Sequence, residues 1–101
     1  MIKQGVIVDG IKKECLIAIL AACQAYTEAN QVFTITSLLD GKHSDKSLHY
    51  KGMAVDIRTR DLVGITAFEI AKRIRELLTA DYDVVVEKTH IHIEYDPKGA
   101  A

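Results

Sequence analysis

The stretch Gly52-Met53-Ala54-Val55-Asp56-Ile57-Arg58-Thr59 alternates apolar and polar side chains. In an extended strand, Met53, Val55 and Ile57 share one face and Asp56 lies on the opposite face. A carboxylate in an otherwise apolar strand must find a partner or water. The stretch therefore predicts a half-buried strand that presents Asp56 away from the core.

Around this strand the sequence predicts two helices and three further strands. Apolar residues recur every three or four positions in segments 11–30 and 65–80, which is typical of helices. Further strands are predicted for the β-branched or alternating segments 32–36, 82–87 and 91–95. The expected fold is α+β: a mostly antiparallel sheet of about four strands with two helices packed on one face. The other face is left free for a site.

The boundaries and buried faces of these elements are also predicted. Asp9 is the expected N-cap of the first helix. Leu16 and Leu20 are expected to widen the buried face of that helix, and Phe68 is expected to be buried in the second helix. Segment 38–51 has no regular period and is expected to form a long loop.

Length and charge restrict the classes of function. The chain has 101 residues, which predicts a single domain over 1–101, and its formal net charge is -1. Such a balance argues against nucleic acid as a partner. Cys15 and Cys23 would lie about 12 Å apart in one helix, beyond the roughly 7 Å limit for a disulfide. Both are therefore expected to be free thiols.

The segment Leu20-Ala21-Ala22-Cys23 is similar to a bacterial lipoprotein cleavage box. The apolar run that contains it is far shorter than the roughly 20 residues of a membrane span. We interpret the segment as part of a helix and expect neither a signal peptide nor a membrane partner. We expect the chain to be synthesised in the cytoplasm.

The four histidines lie in the loop and near the last strand. His90, His92 and Glu94 share one face of that strand by alternation. If this strand neighbours the one that contains Asp56, then His92 and Asp56 converge, and His49 can supply a third ligand from the loop. Two imidazoles and one carboxylate suit zinc, whose fourth position is then left to water. The alternative from the residues alone is a solvated pair of histidines without a metal.

The string Ser47-Leu48-His49-Tyr50-Lys51-Gly52-Met53-Ala54-Val55-Asp56, followed by His90-Ile91-His92, extends this hypothesis. It resembles the Ser-x-His-x-x-Gly-x-Ala-x-Asp signature of the D-alanyl-D-alanine carboxypeptidase family of zinc peptidases. That family also includes phage endolysins and the hedgehog signalling domain. The resemblance covers about residues 32–95 and implies that Zn²⁺ is held by His49, Asp56 and His92, on the face of the sheet opposite the helices.

The resemblance also implies catalytic roles. Glu87, five residues before His92, matches the family's general base, and His90 matches a histidine that stabilises the charged oxygen of the reaction intermediate. Glu94 is the competing candidate for the base. Many family members have an arginine after the strand that precedes the loop, and this chain has none there. Binding of the substrate is therefore assigned to Lys42, His43, Ser47 and Arg58.

The expected function is zinc-dependent hydrolysis of a peptide bond in peptidoglycan stem peptides. The enzyme would be a D,D-carboxypeptidase or an L-alanyl-D-glutamate endopeptidase, and the chain would be a minimal catalytic domain of bacteriophage type. After its synthesis in the cytoplasm, it would act on the cell wall, either after release or as part of a virion. The alternative is a non-catalytic module of the same fold, which uses zinc for stability or for binding a peptide. A third interpretation, a domain without any metal, requires the motif match to be accidental.

Overall fold

The computed structural model of the chain describes Ile2, residues 13–39 and residues 54–97. Its elements are α1 (Lys13–Glu28), β1 (Ile35–Leu39), β2 (Ala54–Arg58), α2 (Ala67–Leu77), β3 (Tyr82–Val86) and β4 (His90–Tyr95). The four strands form one sheet in the order β1-β2-β4-β3, and each neighbouring pair is antiparallel. The predicted α+β class with a four-stranded antiparallel sheet is confirmed.

The core contains residues of both helices and of one face of the sheet. Val55 and Ile57 in β2 and Ile91 and Ile93 in β4 are fully buried, at 0% exposure. These positions alternate with polar residues along each strand, since successive side chains of a strand point to opposite sides. We call the side that contains these four residues the core face, and the other side of β2 and β4 the polar face.

Two polar contacts attach α1 to opposite ends of β2. The Cys15 thiol donates to the carbonyl oxygen of Ala54 at 3.4 Å, and the Tyr26 hydroxyl donates to the carbonyl oxygen of Arg58 at 2.8 Å. Because these contacts hold the first and last residues of β2, the middle of the strand, where Asp56 lies, is fixed against the core.

α1 packs against the core through small side chains. Cys15, four alanines and Tyr26 are its buried residues, whereas Leu20 is 61% exposed and Leu16 is about half exposed. The prediction that Leu16 and Leu20 widen the buried face is therefore wrong. Apolar residues occur all around this helix, so their spacing does not identify the inward face. The alanine face lets the helix approach the sheet closely enough for the contact of Cys15 with Ala54.

α2 begins at a capping box, in which the Thr66 hydroxyl accepts a hydrogen bond from the Glu69 amide and the Glu69 carboxylate accepts one from the Thr66 amide. Ile70 and Ile74 are buried on its core side. The prediction that Phe68 is buried is wrong, because its side chain is 72% exposed. Phe68 lies roughly a third of a turn from the centre of the buried stripe, at 100° per residue.

β1 begins later than its β-branched sequence predicts. The predicted strand was 32–36, but the strand runs from Ile35 to Leu39, so two residues of the predicted loop belong to it. β2 ends at Arg58, whose amide donates to Thr34 O, so within the described part of the chain the residues before Thr34 have no partner strand. Instead, the Gln31 side chain bonds to the backbone of Val63.

The remaining boundaries agree with the predicted segments to within a few residues. The prediction for Asp9 and most of the predicted loop fall outside the described residues. Cys15 and Cys23 are free thiols. In the part of the chain that the structure describes, no helix has both the length and the apolar character needed to cross a membrane.

Candidate metal centre

The register of β2 and β4 brings the predicted site residues together. Asp56 lies directly opposite His92, and Arg58 lies opposite His90. Because directly opposite residues of an antiparallel pair project to the same side, the two histidines and Asp56 share the polar face. Their backbones are rigid, since β2 and β4 are the two central strands of the sheet.

The side chains of Asp56, His90 and His92 form a compact group that can hold a metal ion, with one ligand atom of each lying within 4.8 Å of the others. His92 Nδ1 lies 2.6 Å from Asp56 Oδ1, and His90 Nε2 lies 3.7 Å from Asp56 Oδ2. Asp56 and His92 are each 16% exposed and His90 is 28% exposed. The group is therefore partly shielded but remains open to an ion.

The donor atoms of this group suit zinc. Zinc binds imidazole nitrogen and carboxylate oxygen at about 2.0 to 2.2 Å in a tetrahedral arrangement, which places neighbouring ligand atoms about 3.3 Å apart. The separation of 3.7 Å between His90 and Asp56 is close to that value. The separation of 2.6 Å between His92 and Asp56 must widen by under about 1 Å to admit an ion. The residues present therefore fit the metal.

Carboxylates contact both ring nitrogens of His92. Besides the contact of Nδ1 with Asp56, Nε2 lies 3.1 Å from Glu94 Oε1. The hydrogen bond to Asp56 raises the pKa of His92 above its ordinary value, and the bond to Glu94 acts in the same direction, while burial opposes both. When both nitrogens donate to these carboxylates, a metal ion that binds the ring displaces the proton from one of them.

Glu94 also belongs to a second group, of three carboxylates, together with Asp83 and Asp96. Asp83 lies opposite Glu94 in the pairing of β3 with β4. Strand alternation predicts that Glu94 lies on the face of His92, but it does not predict the acidic group. Alternation along β3 and β4 indicates that Asp83 and Glu94 each face the polar side, but only the register makes them neighbours.

Glu87, the predicted general base, follows the last residue of β3 and is exposed. Its amide donates to the carbonyl oxygen of His90 at 2.8 Å, so its backbone lies directly across from that of His90. Its carboxylate is not part of the group formed by Asp56, His90 and His92. Among the two candidates for the base, Glu94 is the one whose carboxylate contacts His92.

Arg58 ends β2 on the polar face, opposite His90. Its guanidinium lies 3.8 Å from the Asp61 carboxylate, and its side chain is largely buried. An arginine near the histidines is therefore present, although it already contacts an acidic residue. The other predicted site residues lie outside the described residues: Lys42, His43, Ser47 and the predicted ligand His49.

A comparison of the sequence with known protein families finds no match, and a comparison with curated proteins also finds none. The resemblance to zinc peptidases therefore rests on the signature between Ser47 and Asp56 and on the pair of histidines in β4. What the site can do chemically follows from its own geometry.

Proposed function

We propose that the chain is a zinc-dependent peptidase that hydrolyses a peptide bond in peptidoglycan stem peptides. The observation that carries this proposal is the group formed by Asp56, His90 and His92, whose ligand atoms lie within 4.8 Å of one another. Of these three residues, Asp56 and His92 are the ligands that the resemblance implies, and His90 lies beside them in the catalytic role given below. The signature that ends at Asp56 supplies His49 as the third ligand. D,D-carboxypeptidase and L-alanyl-D-glutamate endopeptidase activities are the two reaction types that the resemblance favours.

Asp56 and His92 hold the ion in this proposal, from opposite positions in two central strands. His49 completes the ligand set from the segment before β2. Bound zinc supplies Lewis acidity, which polarises a carbonyl group and makes water a better nucleophile near neutral pH. A zinc site with three protein ligands would be of the catalytic rather than the structural kind.

The chain's own residues move the protons. The Glu87 carboxylate accepts a proton from the attacking water and transfers it to the amine that leaves when the C–N bond breaks. His90, close to Asp56 Oδ2, donates to the oxygen on which negative charge develops. Arg58 binds a carboxylate of the substrate, together with Lys42, His43 and Ser47.

The test compares hydrolysis of purified peptidoglycan by the wild-type protein, Glu87→Gln and Glu94→Gln. Glutamine keeps the shape of glutamate but removes its basicity. Loss of a general base typically lowers the rate by about 10²- to 10⁴-fold. We expect Glu87→Gln to retain zinc, measured by elemental analysis. The rate at which new amino groups are released from the wall should fall by this factor.

An active Glu87→Gln protein would remove this residue as the base. If Glu94→Gln then retained zinc but lacked hydrolysis, the role would pass to Glu94. A wild-type protein that binds zinc and leaves every stem peptide intact would contradict the peptidase proposal.

A second candidate function is a non-catalytic zinc module that binds a peptide. The observation that favours it is the exposed position of Glu87, whose carboxylate is not part of the metal-binding group. Zinc-dependent retention of intact stem peptides, without the appearance of new amino groups, would support this module over the enzyme.

A further inference from the structure

His92 is held between two carboxylates on the polar face, and these carboxylates contact different ring nitrogens. Asp56 Oδ1 lies 2.6 Å from Nδ1, and Glu94 Oε1 lies 3.1 Å from Nε2. An imidazole binds one ion through one nitrogen, and its other nitrogen then carries the proton. The surroundings of the ring therefore determine which nitrogen becomes the metal ligand.

The Asp56 carboxylate of the metal-binding group lies on the Nδ1 side of the ring. Asp56 contacts Nδ1 directly, and its second oxygen faces His90 Nε2 at 3.7 Å. Glu94 is grouped with Asp83 and Asp96 instead. An ion that bridges Asp56 and His92 must therefore bind Nδ1, which leaves the Nε2 proton directed at Glu94.

The backbone of Glu94 is fixed on both sides. It pairs with Ala54 of β2 and with Asp83 of β3, so its Cα cannot shift relative to His92, two residues earlier in the same strand. Residues two positions apart in a strand point to the same side. The side chain of Glu94 is only 22% exposed. The Glu94 carboxylate is therefore already in position to accept a hydrogen bond from His92 before a metal ion binds.

We propose that Glu94 is a positioning residue for the metal site: it accepts the Nε2 proton of His92 and thereby orients Nδ1 toward Asp56 and the ion. Metal-binding histidines commonly donate their second N–H to a carboxylate, which fixes the tautomer and the ring orientation. The inference rests on the metal site of the proposed function and is independent of whether the protein cleaves peptides.

The experiment measures the affinity for Zn²⁺ and records nitrogen NMR spectra of the histidine rings with and without Cd²⁺. In the wild-type protein we expect cadmium to couple to His92 Nδ1 and a proton to remain on Nε2. Glu94→Ala should weaken zinc binding by about 10- to 100-fold, the usual cost of losing such a partner. Glu94→Gln should recover part of this loss, because its amide oxygen can still accept the hydrogen bond.

Asp83→Asn is the matched control. It removes one negative charge directly opposite Glu94 but keeps the contact between Glu94 and His92. We expect its zinc affinity to stay near that of the wild type. Equal losses in Asp83→Asn and Glu94→Ala would overturn the proposal, because the effect would then be one of charge alone. Coupling of cadmium to His92 Nε2 would overturn it as well.

A wild-type protein that binds neither metal would contradict the metal site of the proposed function. The role of Glu94 would still be decided by the metal-free spectra. A proton on Nε2 whose resonance moves in Glu94→Ala but stays in place in Asp83→Asn would support the hydrogen bond. An unprotonated Nε2 in the wild-type protein would contradict it.

Discussion

Neighbouring residues of β2 and of β4 lie alternately on the core face and on the polar face, and the two faces differ in burial and in polarity. Val55 and Ile57 are inaccessible to water, whereas Asp56 between them is partly exposed and contacts an imidazole. The same alternation separates Ile91 and Ile93 from His92. One pair of strands therefore provides both the centre of the core and the candidate metal centre.

This difference shows how a small protein can combine rigidity with an open site. The packing of the apolar side chains on the core face fixes the backbones of β2 and β4. The polar side chains on the opposite face are therefore held at fixed positions relative to one another. Changes on the core face should therefore cost folding stability, while changes on the polar face should mainly cost metal binding.

Ile57→Ala should have the largest effect. Truncating a fully buried isoleucine removes apolar contacts and leaves a cavity, which costs about 2 to 5 kcal/mol. The free energy of unfolding, measured by urea titration of the metal-free protein, should fall by this amount. Ile57→Val is the matched control, with an expected cost of about 0.5 to 1.5 kcal/mol. If Asp56→Asn destabilised the metal-free protein more than Ile57→Ala, the division between the faces would be wrong.

Removal of zinc should have the next largest effect. A ligand that binds only the native state at a hundredfold excess over its dissociation constant stabilises the protein by about 2.7 kcal/mol. Chelation should therefore lower the melting temperature of the wild-type protein, as measured by circular dichroism. In His92→Ala the melting temperature should not respond to zinc, whereas His43→Ala should retain the wild-type response. Identical melting curves with and without zinc in the wild-type protein would contradict the metal site.

Tyr26→Phe should have a smaller effect, because it removes one hydrogen bond from an otherwise apolar environment. The Tyr26 ring is fully buried, and its hydroxyl donates to Arg58 O. Loss of this bond should cost about 1 kcal/mol in urea unfolding. Tyr82→Phe, which removes a bond of the same length to Glu14 O at a less buried position, should cost less. The opposite order would show that the contact between α1 and β2 contributes little.

Glu28→Gln should have the smallest effect, because its ion pair with Arg73 lies on the exposed side of the helices. The hydrogen bond from Arg73 lowers the pKa of Glu28 from 4.5 to about 2. The pair therefore stabilises the native state above pH 4.5, and this contribution is lost as the pH falls toward 2. The free energies of unfolding of wild type and variant, measured by urea titration, should differ slightly near neutral pH and become equal near the lowered pKa of about 2. A difference that grew with acidification would contradict this assignment.

Strand alternation was the most informative signal in the sequence. The sides on which Asp56 and His92 lie follow from a period of two, which a single apolar stretch reveals without tertiary information. The class of the fold followed from the same signal. The contact between Asp56 and His92 requires in addition that β4 pair with β2, and the alternation within each strand does not determine which strands are neighbours.

The inward faces of the helices could not be predicted in the same way. In α1, alanines and leucines are both apolar, so the choice of the alanine face depends on how closely the helix approaches the sheet. The buried side of α2 contains Ile70 and Ile74, and Phe68 lies outside it. The large apolar ring of Phe68 does not rotate the helix so as to bury itself. The carboxylate group around Glu94 likewise depends on the register of two strands, which no local pattern contains.

The pairing of β2 with β4 also determines when the metal site can appear during folding. Asp56 and His92 are separated by 36 positions in the sequence, and β3 and β4 form a local hairpin that must receive β2 along its free edge. Contacts this distant in the chain form late, after the entropy of closing the intervening segment has been lost. An ion held by these two residues would therefore act after the rate-limiting step, so it would slow unfolding and leave the speed of folding almost unchanged.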